Sequence, residues 1–368
     1  MYYKQLGKTG KEISAISFGS MRFLPKDYKE GPEKCAEILL RAQELGINLF
    51  DTAPEYCHDQ SEKIVGHAIK QMKVKPYVST KGGFRQAVTA EETLEAVKKS
   101  RDRLCVDKIT FYHMWCIKTV DEYKKMTAPG GIYEGLLRAK QDGLIEHICC
   151  SAHMDSEGVK VIAADGLVES VILGYNALNF AWRREGIKAC HDAGMGVLTM
   201  NPLGGGLIPK YADAFSFLKN APDESIVHAA LRFLLGQKEV TAALPGPSSI
   251  AELEDCVAAA DREYETSEAV FETYAKHLKE DLNTLCTSCG YCMECPVDLP
   301  IVEFLASYNH YLLTGSMKGM DGYLEGMWNL SPAVAGTCIR CGHCETLCTQ
   351  KLPIMDRLAE FAALVAEK

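Results

Sequence analysis

Two runs of cysteine stand out as chemistry-bearing residues. The first is Cys286, Cys289, Cys292 and Cys295, followed by Pro296; the second is Cys338, Cys341, Cys344 and Cys348. Three thiolates spaced at every third residue wrap one face of an iron–sulfur cube, because a turn-rich backbone aims each of them inward. The fourth, near a proline, points away and in two-cluster proteins ligates the other cube. The spacing therefore assigns Cys286, Cys289, Cys292 and Cys348 to one [4Fe–4S] cluster. Cys338, Cys341, Cys344 and Cys295 fall to a second. Zinc is the competing reading, but zinc takes paired C-x2-C units, and these are runs of four. Two details depart from the usual run. The first motif is one residue short before its last cysteine, and Thr349 stands where the second would place proline. Either alters the hydrogen bonding around a cluster.

A second constellation is Asp51 and Tyr56 in FDTAPEY with Lys81 in VSTKGG. A buried Lys–Asp pair beside a tyrosine is a device for proton transfer. The ammonium lowers the phenol's pKa, and the carboxylate orients the lysine. Singly, each has a plainer role: packing for the tyrosine, solvation for the lysine, a cap for the aspartate. Their places at the ends of consecutive strands lift them above that.

The elements that must position these residues are legible in the rhythm. Strand candidates are Ile16–Gly19, Asn48–Asp51, Tyr77–Lys81, Ile109–Trp115, His147–Ser151, Val171–Tyr175, Gly196–Met200 and Thr241–Leu244. Amphipathic helical patterns such as EKCAEILLRAQELG lie between them, several closed by glycine. Eight strands alternating with helices over this length make an α/β chain of the (β/α)₈ TIM-barrel class. A doubly wound sheet would want a G-x-G-x-x-G turn after its first strand, and none stands there. The organisation predicted is a barrel over 1–262, a bridging helix over 263–282, and a mainly helical, ferredoxin-like domain with two [4Fe–4S] clusters over 283–368.

YKQLGKTGKEISAISFGSMR, DTAPEY with Ser61–Glu62, STK, ALPGPSSIAELED and the cysteine runs together resemble the ferredoxin-containing branch of the aldo-keto reductases. The resemblance covers essentially the whole chain. It implies a barrel enzyme that uses a nicotinamide nucleotide without a Rossmann fold. Hydride would pass to a carbonyl while Tyr56 acts as general acid, tuned by Asp51 and Lys81. The family's fourth catalytic residue is a histidine at the end of the fourth strand. Aligning RLCVDKITFYHMWCI puts Trp115 there, with His113 on the same face about 6.6 Å back along the strand. A bulge would bring His113 to the substrate; otherwise it is an inner-barrel residue. Trp115 makes the pocket more apolar and favours a conjugated or aromatic substrate over a simple carbonyl.

The resemblance also implies nucleotide contacts. Ser151 and Asn176 suit a carboxamide, though both residue types also serve turns. Met200 stands where relatives stack an aromatic ring on the nicotinamide, and Gly204, Gly205 and Gly206 would admit the pyrophosphate. At the adenosine end are Ser248 and Glu252, with no basic residue between Leu244 and Asp255. A carboxylate disfavours a 2′-phosphate and can bond a ribose hydroxyl, so NAD is expected rather than NADP. Cys57 and His58 adjoin Tyr56, but neighbours in a loop seldom point together, and His58 is the better substrate contact.

Composition narrows the classes. A formal net charge of −9 leaves no basic excess for nucleic acid. No apolar stretch is long enough for a membrane span, and the N-terminus lacks a signal-peptide core. A cytoplasmic protein follows, in which sixteen cysteines mean metal ligands and small core residues rather than disulfides. A small-molecule substrate and a redox partner protein are the expected partners. Two other readings stay open: a barrel without carbonyl reductase activity serving as a ligand-binding or electron-transfer module, and clusters that are structural staples.

Overall fold

The computed structural model describes residues 1–278 and 285–366. Eight parallel strands follow one another around a barrel: β1 Phe18–Gly19, β2 Leu49–Asp51, β3 Tyr77–Gly82, β4 Ile109–Ile117, β5 Ile145–Ala152, β6 Ser170–Gly174, β7 Gly196–Met200 and β8 Ala242–Leu244. The ring closes where Ile16 bridges Ala243, with Ser17 N–H donating to Ala243 O at 2.9 Å and Gly19 N–H to Pro245 O at 2.8 Å. Closure buries both faces of nearly every strand, which is why the strands read as apolar runs rather than alternating ones. Each strand candidate from the sequence has its counterpart here.

An antiparallel hairpin, Tyr3–Gln5 with Glu12–Ser14, precedes the barrel. Its strands are too short to carry a periodic signal. Its Leu6 and Ile13 pack with Leu49, Phe111, Ile172, Leu198 and Ala242 in the barrel interior.

The chain divides into two compact units: residues 1–203 with 218–268, and residues 204–217 with 269–368. The bridging helix predicted from residue 263 spans only Glu268–His277. Residues before it are strapped to helix Ile226–Leu235, where Thr266 Oγ1 donates to Phe233 O at 3.0 Å and Tyr264 pairs with His228. The last residues of that predicted helix, 279–282, lie outside the described residues. Among the described residues no helix is long and apolar enough to cross a membrane.

Inside the second unit the two cysteine runs open the halves of a repeat. Ser288 (φ 50°) and Gly290 (φ 80°) stand in the first run where Arg340 (φ 52°) and Gly342 (φ 78°) stand in the second. Past the last cysteine of each, Asp298 (φ 51°) and Lys351 (φ 57°) turn the chain. Leu-Pro-Ile then opens a helix in both halves, Ile301–Thr314 and Ile354–Ala366. Leu299, Ile301, Phe304 and Leu305 from one half pack in a single core with Leu352, Ile354, Leu358 and Phe361 from the other.

Candidate functional site

Asp51 ends β2 and Lys81 lies near the end of β3, as catalytic groups of such barrels do. Lys81 Nζ donates to both Asp51 oxygens at 2.6 Å and to Thr52 O at 2.7 Å. Ser79 Oγ donates to Asp51 Oδ1 at 2.7 Å. The pair is sealed, with side chains 1% and 7% exposed. The ammonium lies 5.3 Å from the centre of the Tyr56 ring. Burial lowers the Lys81 pKa, and Asp51 opposes that.

The phenol behaves otherwise than the spacing suggests. Burial first, and the Asp51 carboxylate second, push Tyr56 well above the usual phenol range. Lys81 is saturated by three oxygens, so little of its charge is left to act on the tyrosine. Tyr56 stays protonated across the ordinary pH range, which is the state a proton donor needs.

Trp115 reaches Tyr56: their rings meet edge to face at 5.8 Å. His113 lies beside Lys81 in the β3–β4 register, and its Nδ1 is 3.2 Å from Cys150 O. Its Nε2 is buried without a hydrogen-bond partner among the described residues. Burial, and then Lys81, press its pKa down to about 3, so the ring is neutral. A bulge does occur in β4, but it falls between Met114 and Ile117, with Cys116 at φ 61°. It therefore reorients the segment around Trp115 and leaves His113 in the regular ladder. Gly83 lets β3 lie against this bulge, since a Cβ there would sit 2.8 Å from Trp115 O.

The loop carrying Tyr56 is held by contacts the sequence did not announce. Glu55 accepts from Arg85 Nη1 at 3.0 Å and from Gln86 Nε2 at 2.7 Å, tying the loop after β2 to the loop after β3. Behind it, buried Glu62 accepts from Thr80 Oγ1 at 2.6 Å and from Arg103 Nε at 2.5 Å. Cys57, His58 and Asp59 are all left-handed, and the first two point apart. Cys57 Sγ faces the Ser20 and Met21 carbonyls, whereas His58 Nδ1 meets Tyr28 Oη at 2.9 Å.

The residues named for the nucleotide are largely engaged within the protein. Ser151 Oγ accepts the Cys116 N–H at 3.0 Å and so pins the bulge. Asn176 Nδ2 donates to Asn201 O at 2.9 Å, and its Oδ1 accepts from Leu178 N–H at 2.8 Å. Met200 closes β7, half-buried. Gly204, Gly205 and Gly206 are all left-handed and group with the second compact unit, where a Cβ on Gly205 would strike Thr287 O at 2.2 Å. Glu252 sits in the first turn of helix Ile250–Ala258, its carboxylate accepting from Ser248 N–H at 2.7 Å and Ser248 Oγ at 2.9 Å.

The cysteines gather in two sets that cross between the runs. Cys286 and Cys292 each feel the charge of Cys289 and of Cys348 from the far run. Cys344 feels Cys338 and Cys341, and those three line one small cavity with Cys295. Backbone N–H groups of Ser288, Arg340 and Leu352 each approach a sulfur, of Cys286, Cys338 and Cys348 respectively, at 3.4 Å. Thr349 Oγ1 lies 3.6 Å from Cys289 Sγ, a contact its counterpart Pro296 cannot make. Burial, with the neighbouring thiols adding to it, pushes Cys286 up to about 12 and Cys344 to about 11. Thiols that oppose each other's ionisation become a stable set of thiolates only around positive charge. Among the described residues no three such side chains close around a single ion; a four-iron cube spreads its thiolates over wider corners. Two sets of four cysteines are the donor type and number that two such cubes would take.

A closed parallel barrel with a sealed Lys–Asp pair and a tyrosine at strand ends defines a class of oxidoreductase fold. The aldo/keto reductase family model matches residues 15–278. The chain belongs to the aldo/keto reductase family, and it is an NAD(P)-dependent oxidoreductase of that type. It is 28% identical to the L-galactose dehydrogenase of Arabidopsis thaliana over 70% of this chain and 87% of that protein. It is 30% identical to the NADH-specific methylglyoxal reductase of Escherichia coli over 47% of this chain and 58% of that one. The fold is that of the aldo-keto reductase AKR11C1 from Bacillus halodurans in its holo form, with a TM-score of 0.64 and 24% identity over 76% of this chain and 97% of the other.

Proposed function

We propose that this protein is a redox enzyme of the ferredoxin-containing branch of its family, with two [4Fe–4S] clusters in the C-terminal unit. The observation that carries the reading is the crossing of the two cysteine sets, in which the last cysteine of each run joins the first three of the other. Cys286, Cys289, Cys292 and Cys348 would hold an inner cluster, and Cys338, Cys341, Cys344 and Cys295 an outer one. When bound, the clusters supply one-electron transfer.

In the barrel, a bound nicotinamide supplies hydride, with NAD preferred over NADP because Glu252 stands where a 2′-phosphate would need a cation. Tyr56 Oη gives the proton that completes the reduction. Asp51 holds Lys81 in place beneath the phenol. Trp115 walls the pocket with an indole, which offers one N–H and a broad apolar face. That favours a planar, conjugated or aromatic substrate over a simple aldehyde. A redox protein is the fitting partner for the clusters, because hydride carries two electrons and a cluster moves one.

Anaerobically prepared protein should hold about eight irons per chain, the sum of two four-iron cubes. Cys348→Ser should disrupt the cluster of the 286–292 run and spare the one nearer in sequence. Stoichiometric zinc with no visible absorbance would remove the iron–sulfur reading.

A further inference from the structure

The repeat in the C-terminal unit breaks at the fourth residue of its two paired helices. In Ile301–Thr314 that residue is Phe304, fully buried. In Ile354–Ala366 it is Arg357, only 5% exposed. A sealed guanidinium is costly unless negative charge receives it. Among the described residues no carboxylate comes within ion-pair distance of Arg357, and its Nη1 is buried with no hydrogen-bond partner. The guanidinium rests over the Tyr308 ring at 4.9 Å. Tyr308 adjoins Asn309, which holds the Cys286 backbone by two bonds, Cys286 N–H donating to Asn309 Oδ1 at 2.9 Å and Asn309 Nδ2 to Cys286 O at 2.7 Å. The helix of Arg357 follows Leu352, whose N–H approaches Cys348 Sγ at 3.4 Å, and the exposed Glu360 accepts from Tyr308 Oη. Cys286 and Cys348 are ligands of one proposed cluster, one from each cysteine run.

We infer that Arg357 is the charge partner of the inner cluster: its guanidinium stabilises the reduced state of the cube held by Cys286, Cys289, Cys292 and Cys348, and so holds that cluster's potential up. The inference rests on the two-cluster reading above. An external one-electron reductant adds one negative charge to the cube and its thiolates, and no bond forms or breaks. A fixed cation in the surroundings of a cluster lowers the free energy of that added charge. Burial works in the opposite sense. Two of the four inner thiols, Cys286 and Cys292, are buried, whereas of the outer four only Cys344 is buried and Cys341 is exposed. Water eases reduction of the outer cluster; Arg357 does so for the inner one. The Thr349 hydroxyl near Cys289 acts in the same direction when it donates to the thiolate.

The test is a potentiometric titration of the full chain, anaerobically loaded with iron and sulfide and followed by electron paramagnetic resonance. Cys348→Ser identifies the inner signal. Arg357→Gln should lower the reduced-to-oxidised ratio of the inner cluster at least tenfold at a fixed potential, a shift of about 59 mV for one electron. The outer signal should stay in place. Arg357→Lys should retain most of the wild-type value, and Phe304→Leu, at the equivalent place in the repeat, should move neither. If Arg357→Gln fails to assemble the inner cluster, Arg357→Met carries the same expectation without a buried amide. The inference is overturned if clusters assemble and both potentials hold, if both shift equally, or if lysine behaves as glutamine does. Absence of any cluster signal in the wild type would instead overturn the two-cluster reading, and this inference with it.

Discussion

Lys81 in the barrel and Arg357 in the C-terminal unit are both sealed from water, yet they are satisfied in different ways. Lys81 has two carboxylate oxygens and a carbonyl within 2.7 Å. Arg357 has only the Tyr308 ring face against it, with Nη1 unpartnered among the described residues. The Lys81 charge is thus satisfied by protein groups alone. The C-terminal site is a set of mutually opposed thiols and an unsatisfied cation, which the proposed cluster would reconcile. One unit brings its electrostatics with the fold; on the reading proposed above, the other would borrow them from a cofactor.

The largest effect should come from breaking that dependence. Removing iron with a chelator under reducing conditions should abolish amide-exchange protection across 286–361, because the thiols and Arg357 lose their compensating charge. Protection in the barrel strands should hold. Equal loss in both units would show that the barrel also leans on the clusters, and the contrast drawn above would fail.

Breaking the saturated pair comes next. Asp51→Ala leaves Lys81 charged and uncompensated, which for a buried pair costs about 3–5 kcal/mol of stability. Asp51→Asn keeps the shape and a hydrogen bond and should cost less, while still disturbing turnover. Urea unfolding monitored on the barrel measures both. If Asp51→Ala costs no more than a surface change, the pair is not the closed unit its distances describe.

The pH profile sharpens the same contrast. Tyr56 is raised well above the usual phenol range, and His113 is lowered to about 3. Proton donation needs the protonated phenol, so reductive kcat/KM should have no basic limb near neutrality. His113 is neutral above its lowered pKa, so it should add no acid limb between about pH 5 and 8, where an ordinary histidine titrates. A limb near pH 6.5 that vanishes in His113→Ala would show the ring titrating in the site. Trp115→His places an imidazole against Tyr56 and should raise activity on simple carbonyls. If it leaves them untouched while Tyr56→Phe abolishes turnover, the indole is not what sets substrate class.

These residues also mark how far the sequence could be read. The strands were legible because barrel closure demands apolar runs, and Asp51 and Lys81 because strand ends are where such barrels keep polar groups. The cysteine runs were legible from their spacing, and the crossing expected of them comes from how two-cluster ferredoxins use their fourth cysteine. The structural repeat did not, because the second run carries one extra residue and only the cysteines and Leu-Pro-Ile mark it. Arg357 was hidden for a related reason: in a helical pattern, an arginine among apolar residues reads as a solvated face. Gly204–Gly206 read as a nucleotide loop, but nothing local tells that they fold with the C-terminal unit. The bulge was considered, but its place beyond His113 depends on the Ser151 contact to Cys116, thirty-five residues away in the chain.

The smallest effect should come from Glu252, and it separates two roles carried by one carboxylate. Glu252 lies in the first turn of its helix and accepts two hydrogen bonds from Ser248, so it serves helix entry whether or not it meets a nucleotide. Negative charge there also suits the helix dipole, by about 0.3–1 kcal/mol. Glu252→Gln can still accept from Ser248 but gives up the charge. Glu252→Arg gives up both and offers a cation to a 2′-phosphate. An exposed ion pair is worth about 1 kcal/mol at most, so the NADPH-to-NADH affinity ratio should rise about fivefold in Glu252→Arg. In Glu252→Gln it should rise less, since repulsion is removed without attraction being added. Both affinities should be measured at low and high salt, because a charge effect at the surface must shrink with screening. A ratio that does not move in either variant, beside a melting temperature that falls in Glu252→Arg, would leave Glu252 as a helix cap and take away the basis for NAD preference.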